Sequence, residues 1–236
     1  MASKRTFVLV PGAGGNAWYW HRVVPEIEAS GHRAIPVELP AADDSAGLDE
    51  YANAIVEAAR DHDNVVLVAQ SFGCFSAPLA AAGLDAIALV FVNAMIPRPG
   101  ETAAEWWETT GQEQARVEAA QRNGRSPEFD LIEDFFHDVP QAVLEEAMRL
   151  GEPQQSETPF AQRWPGDALP DLPTRVVVGR DDRFLPLEFQ RRVAKERLDV
   201  DIEELPGGHL IALGQPVALA QSLLLDTPQA GLGSRR

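Results

Sequence analysis

Residues 64–73 read Asn64-Val-Val-Leu-Val-Ala69-Gln70-Ser71-Phe72-Gly73. Five apolar residues in succession, four of them Val or Leu, predict a short strand buried on both faces, the pattern of a central strand in a parallel sheet. The next residues, Ser71 to Ala82, are rich in small side chains and predict a helix. A strand, a sharp turn and a helix would lift Ser71 to the tip of the turn. Such a turn needs small residues two positions before and two after the serine, and Ala69 and Gly73 meet that need. A serine that merely caps a helix gives the same pentapeptide, so the rest of the chain must decide.

Working outward, the same rhythm repeats. Phe7–Val10, Arg33–Leu39, Ala86–Val92, Thr174–Val178 and Asp199–Leu205 predict strands. Ala17–Ser30, Asp49–Asp61, Leu187–Arg197 and Val217–Leu225 predict helices. This alternation implies an α/β fold with a mostly parallel six-stranded sheet flanked by helices on both faces. Ligands of such sheets bind beyond the carboxyl ends of the strands.

Residues 97–170 break the rhythm. They hold no clear strand, and they carry the aromatics Trp106, Trp107, Phe135, Phe136, Phe160 and Trp164. Between 101 and 157 there are 14 acids against 4 arginines, a local charge of −10. The expected organisation is one domain, with a core from 1–96 and 171–236 and a helical cap inserted as 97–170. The tail from Thr227, with its glycines and serine, is expected to be disordered.

Composition narrows the function classes. The 236 residues are 45% hydrophobic and carry a net charge of −16. Nucleic acid and anionic membrane surfaces are therefore excluded as expected partners, because both need a clustered positive face. The longest apolar stretch, around residues 86–92, is far short of the roughly 20 needed to span a bilayer. The single Cys74 allows no intrachain disulfide. The N-terminal residues run directly into a strand without an apolar leader, so a cytoplasmic location is expected. Lys4 and Lys195 are the only lysines, and neither lies in a context suited to Schiff-base chemistry.

The strand ends carry the chemistry. After the fifth strand comes Gly179-Arg-Asp181-Asp182-Arg-Phe-Leu-Pro186. Asp182 is preferred over Asp181 as the acid that orients a histidine, because it lies four residues before a proline that would open the next helix. After the sixth strand comes Pro206-Gly-Gly-His209-Leu210. Of the five histidines, only His209 follows a late strand in a position to reach Ser71. The order Ser71, Asp182, His209 is that of the α/β-hydrolase triad. After the first strand, Pro11-Gly-Ala-Gly-Gly15 has neither dinucleotide-fingerprint spacing nor a following lysine. It suits an oxyanion hole, with Ala13 and Phe72 as backbone N–H donors.

These segments resemble the plant methyl esterase and hydroxynitrile lyase branch of the α/β-hydrolase superfamily. The resemblance lies in Phe7-Val-Leu-Val-Pro-Gly-Ala13, Ala17-Trp-Tyr-Trp20 and Gly31-His32, and again in Leu187-Glu-Phe-Gln190 and Gly207-Gly-His209. It covers about 6–93 and 173–226 and leaves the cap unrecognised. It implies an α/β-hydrolase fold in which Ser71 is the nucleophile, His209 the base and Asp182 its orienter. Pro11 and Ala69 depart from the histidine and glycine usual in that branch. Its lyase members carry threonine at the position of Gly12 and lysine at that of Leu210, so the resemblance leans to the esterases.

The expected function is a serine hydrolase acting on small, neutral, apolar or aromatic carboxylic esters through an acyl-enzyme. Gly12, Trp18, Trp107, Phe136 and Leu210 are the expected substrate contacts. No cofactor and no metal are expected, since the five histidines and one cysteine are scattered. The expected partner is the small-molecule ester alone, with a homodimer left open. Two other classes stay in view: a lyase on the same triad, and a ligand-binding protein with a vestigial one.

Overall fold

The computed structural model describes residues 4–225, so the expected tail from Thr227 lies outside the described residues. Six strands, β1 (Thr6–Val10), β2 (Arg33–Pro36), β3 (Val65–Gln70), β4 (Ala88–Val92), β5 (Thr174–Gly179) and β6 (Ile202–Leu205), form one sheet. Its order is β2-β1-β3-β4-β5-β6, and every pairing is parallel. β3 is interior, as its unbroken apolar run requires. Pro36 sits in edge strand β2, where a missing N–H costs no ladder bond on the open side.

The α-helices are α1 (Val24–Ala29), α2 (Leu48–Ala59), α3 (Ala77–Ala80), α4 (Ala103–Thr110), α5 (Gln112–Arg122), α6 (Gln141–Leu150), α7 (Thr158–Ala161), α8 (Leu187–Leu198), α9 (Ile211–Gly214) and α10 (Pro216–Leu224). Alternate strand residues face opposite sides of the sheet. Val8, Val10, Leu67, Phe91 and Val178 pack with Tyr51 and Ile55 of α2, Phe75, and Phe189 and Val193 of α8. Phe7, Leu9, Val66, Val68, Val90 and Val177 pack with Trp20, Ile27 of α1, Ile211 of α9, and Leu219 and Leu223 of α10. Both faces are therefore covered. Each fully buried Val, Leu, Ile or Phe contributes about 1.5–3 kcal/mol relative to exposure.

Two expected helices are broken, each for the same reason. Ala17–Ser30 divides into a 3-10 turn, Ala17–Trp20, and α1. Ser71–Ala82 divides into a 3-10 turn, Ser71–Phe75, and α3, with a further 3-10 turn at Ala82–Leu84. Pro25 and Pro78 lack an N–H and are tolerated only in a first helical turn, so each starts a new helix. The sixth strand begins later than expected because Asp199 takes a left-handed conformation, φ 55°, that closes α8.

Residues 97–170 contain α4 to α7 and a π-helical turn, Ile132–Phe136. Thr102 starts α4 with a capping box: its hydroxyl accepts from Glu105 N–H at 3.0 Å, and Glu105 accepts from Thr102 N–H at 2.9 Å. Trp106 and Trp164 are fully buried, with their indole N–H groups donating to Ile96 O and Phe75 O. They are packing residues.

Glu101, at the start of this segment, meets Arg197 near the end of α8, with both side chains under 10% exposed. Burial alone would raise the Glu101 carboxyl. The hydrogen bonds from Arg197 and the Thr109 hydroxyl, with the arginine charge, outweigh it and hold the group below the ordinary carboxylate range. Arg197→Ala leaves that carboxylate buried and unpaired, which costs about 3–5 kcal/mol at neutral pH. A depressed folded-state pKa gives stability that is present above the unfolded value and lost as pH falls through the folded one. The gap between wild type and variant in denaturant melts should therefore narrow below about pH 4.5. A gap independent of pH would show that the pair is not its source.

Candidate active site

β3 ends at Gln70, and Ser71 turns the chain with φ 50°, a left-handed conformation that costs a non-glycine residue about 1–3 kcal/mol. Two contacts hold it there. Met95 N–H donates to Ser71 O at 3.2 Å. Gly73 lies so close to the end of β1 that a Cβ would stand 2.3 Å from Pro11 O. A 3-10 turn starting at Ser71 leaves the first N–H groups, including that of Phe72, without intrahelical partners.

The loops after β5 and β6 bring the other two groups. His209 Nε2 is 3.2 Å from Ser71 Oγ, and His209 Nδ1 is 2.9 Å from Asp182 Oδ2. A carboxylate only accepts, so Nδ1 carries the proton and Nε2 is left to accept from the serine hydroxyl. All three side chains are buried. Asp182 is fixed in turn by N–H donations to Oδ1 from Phe184 (2.9 Å) and Leu185 (2.8 Å). Of the two candidate acids, Asp182 faces the histidine, while Asp181 accepts from Gly207 N–H. Such a chain can move a proton from a hydroxyl to an imidazole and hold the resulting imidazolium.

Asn93, fully buried at the end of β4, ties the site together. Its side-chain amide donates to Gly208 O (3.0 Å) and His209 O (2.9 Å), and its oxygen accepts from Gly179 N–H (2.8 Å). Gln70 reaches His209 Nε2 at 3.3 Å and also fills the space beside Gly12, where a Cβ would stand 2.5 Å from its Oε1. Neither residue follows from the sequence patterns. A polar residue at each strand end was the available signal.

The loop after β1 is a turn closed by Gly15 N–H donating to Gly12 O at 3.1 Å. Ala13 N–H has no protein acceptor among the described residues, and Ala13 is exposed. Gly12 lies against the nucleophile, its Cβ direction 3.0 Å from Ser71 Cβ.

The remaining sequence candidates divide. Leu210 is half-buried, directly after His209. Trp18 stacks on His21 at 4.5 Å and donates from its indole to Glu146 of α6 at 3.2 Å. Phe136 packs with the cluster on the α1 face of the sheet. Trp107 meets Phe184 edge-on at 5.6 Å. The rings that touch His209 are Phe135 (4.8 Å) and Phe184 (5.1 Å), both edge to face. Among the described residues no group of three or more His, Cys, Asp or Glu is placed to hold a metal ion, and no helix is long and apolar enough to cross a membrane.

Comparison with known proteins agrees with the fold. The family model described as "Alpha/beta hydrolase family" matches residues 7–222. The chain is 26% identical to the Alpha-hydroxynitrile lyase of Arabidopsis thaliana, over 94% of this chain and 97% of that protein. It is 29% identical to Methylesterase 3 of the same plant, over 65% of this chain and 64% of that protein. Among solved structures, polyneuridine aldehyde esterase superposes with a TM-score of 0.75 at 22% identity, covering 94% of this chain and 98% of that one. That likeness is one of fold.

Proposed function

We infer that this chain, which belongs to the alpha/beta hydrolase family, is a serine hydrolase of carboxylic esters. The observation that carries the reading is the pair of hydrogen bonds, 3.2 and 2.9 Å, that join a serine on a strained strand-to-helix turn to a buried histidine and aspartate. His209 Nε2 takes the Ser71 proton as Oγ attacks the ester carbonyl. The N–H groups of Ala13 and Phe72 receive the oxyanion. His209 returns the proton to the leaving alcohol, and water, activated by the same nitrogen, then releases the acid.

The aromatic edges of Phe135 and Phe184 beside His209, with Trp107 behind Phe184, favour a small apolar or aromatic substrate. The −10 charge of residues 101–157 disfavours an anionic one. A lyase activity has a relative in its favour. Against it stand Leu210 after the histidine and the Gln70 side chain, which fills the space beside Gly12.

A panel of neutral aryl esters, carboxylate-bearing counterparts and mandelonitrile separates these readings. Neutral esters should turn over. Their anionic counterparts should be slower by several-fold at low salt, with the gap closing as the Debye length shrinks. Cyanide release from mandelonitrile without ester turnover would replace the hydrolase by a lyase.

A further inference from the structure

The proposed oxyanion donors sit on two separate pieces of backbone, Ala13 after β1 and Phe72 after β3. Each is met by the same stretch of residues 153–160 from between α6 and α8. Gly14 N–H donates to Gln155 Oε1 at 2.8 Å. The Gln155 amide nitrogen donates to Tyr51 Oη (3.1 Å) and Ser156 O (2.9 Å), so the side chain cannot swing freely. Pro153 lies flush on Gly14, where a Cβ would stand 2.7 Å from the proline ring. Ser156 N–H, donating to Ala41 O at 2.7 Å, pins the stretch to the core. Phe160 stacks on Phe72 with centroids 4.0 Å apart and planes 10° from parallel.

Peptide geometry makes these contacts consequential. In a trans peptide the C=O and the following N–H point in opposite directions. The Gly15-to-Gly12 turn bond fixes the Gly12–Ala13 plane and so aims Ala13 N–H away from the turn. The next plane, Ala13–Gly14, is the centre of the same turn, and among the described residues Gln155 makes its one hydrogen bond. Gly14 has φ 84° and no side chain, so without that acceptor the plane is free to rotate.

We propose that Gln155 is a positioning residue of the oxyanion hole: by holding the Ala13–Gly14 peptide at the centre of the turn it preserves the Gly15-to-Gly12 bond that aims Ala13 N–H, while Phe160 of the same stretch packs against Phe72, the other donor. The inference rests on the serine-hydrolase reading. Gln155 touches no reacting atom in this account, so its removal should weaken the transition state and spare substrate binding.

The test compares wild type, Gln155→Leu, Gln155→Glu and Phe160→Leu on a neutral p-nitrophenyl ester and with an aryl trifluoromethyl ketone. Ser71 Oγ adds to that ketone, the carbonyl π pair becomes the oxyanion, and His209 takes the serine proton. Gln155→Leu should lower kcat about tenfold or more, since loss of a donor costs 10²–10³ and misplacement somewhat less. Ki for the ketone should rise by the same factor, with KM changed less than about twofold. Gln155→Glu keeps an acceptor for Gly14 N–H but loses the amide donation to Ser156 O, so it should recover only part of the loss. Phe160→Leu keeps an apolar contact without the stacked ring and should show the same parallel loss in kcat and Ki, which covers the event that Gln155→Leu folds poorly. Unchanged kcat and Ki in folded Gln155→Leu, or a loss confined to KM, would overturn the inference. A wild type inert to a fluorophosphonate would instead remove the hydrolase reading beneath it.

Discussion

Asp182→Asn should lower kcat by about four orders of magnitude while the protein stays folded. The size of the effect follows from how the carboxylate is held. Oδ1 accepts two backbone N–H groups, from Phe184 and Leu185. An asparagine must turn its single oxygen toward those donors, because two N–H groups cannot face an NH2. The amide nitrogen then faces His209 Nδ1, where Oδ2 now stands 2.9 Å away. A donor there forces Nδ1 to accept and moves the ring proton to Nε2. That nitrogen can no longer accept from Ser71 Oγ, 3.2 Å away. Tautomer, and not geometry, is what changes. Ester turnover measured beside a thermal melt checks this. A loss below tenfold would mean that Asp182 does not set the ring proton.

Gly73→Ala carries the second large effect, and it falls on stability and activity together. Its Cβ would stand 2.3 Å from Pro11 O and 3.1 Å from Pro11 C, both backbone atoms that no side-chain rotation can clear. The turn after β3 must move away from the loop after β1. Those are the segments that carry Phe72 and Ala13. A cost of about 3 kcal/mol is expected from overpacking against backbone, with turnover reduced about a hundredfold by displacement of the two N–H groups. Gly111→Ala is the control. It has φ 65° but nothing within 4 Å, so only the left-handed penalty of about 1–2 kcal/mol applies, and activity should hold. Equal effects at the two positions would remove the steric argument.

The sheet was legible because β1, β3 and β4 are buried on both faces and read as apolar runs, with β3 the clearest. The helix breaks at Pro25 and Pro78 were legible in principle, since a proline marks a first turn as firmly as it ends a helix. The candidate triad could be read because each member follows a strand, and parallel strands deliver their ends to one edge of the sheet.

What could not be read depends on contacts across long stretches of chain. Asn93 meets Gly208 115 residues away, and Gln155 meets Gly14 at a separation of 141. No periodicity encodes either. The sequence named Trp107 and Phe136 among the aromatics of residues 97–170 and did not single out Phe135, for a local reason. Phe135 and Phe136 lie in a π-helical turn, which breaks the 3.6-residue period that would have assigned their faces. Phe135 meets the histidine, and Phe136 packs against the other side of the sheet.

The central claim is that Ser71 is an activated nucleophile. It is tested most directly by intact-mass measurement after brief exposure to a fluorophosphonate, for wild type, Ser71→Ala and His209→Ala. The account predicts one adduct, formed rapidly on wild type, slowly on His209→Ala and not at all on Ser71→Ala. A folded wild type that gains no mass, or a Ser71→Ala protein that still does, would contradict it.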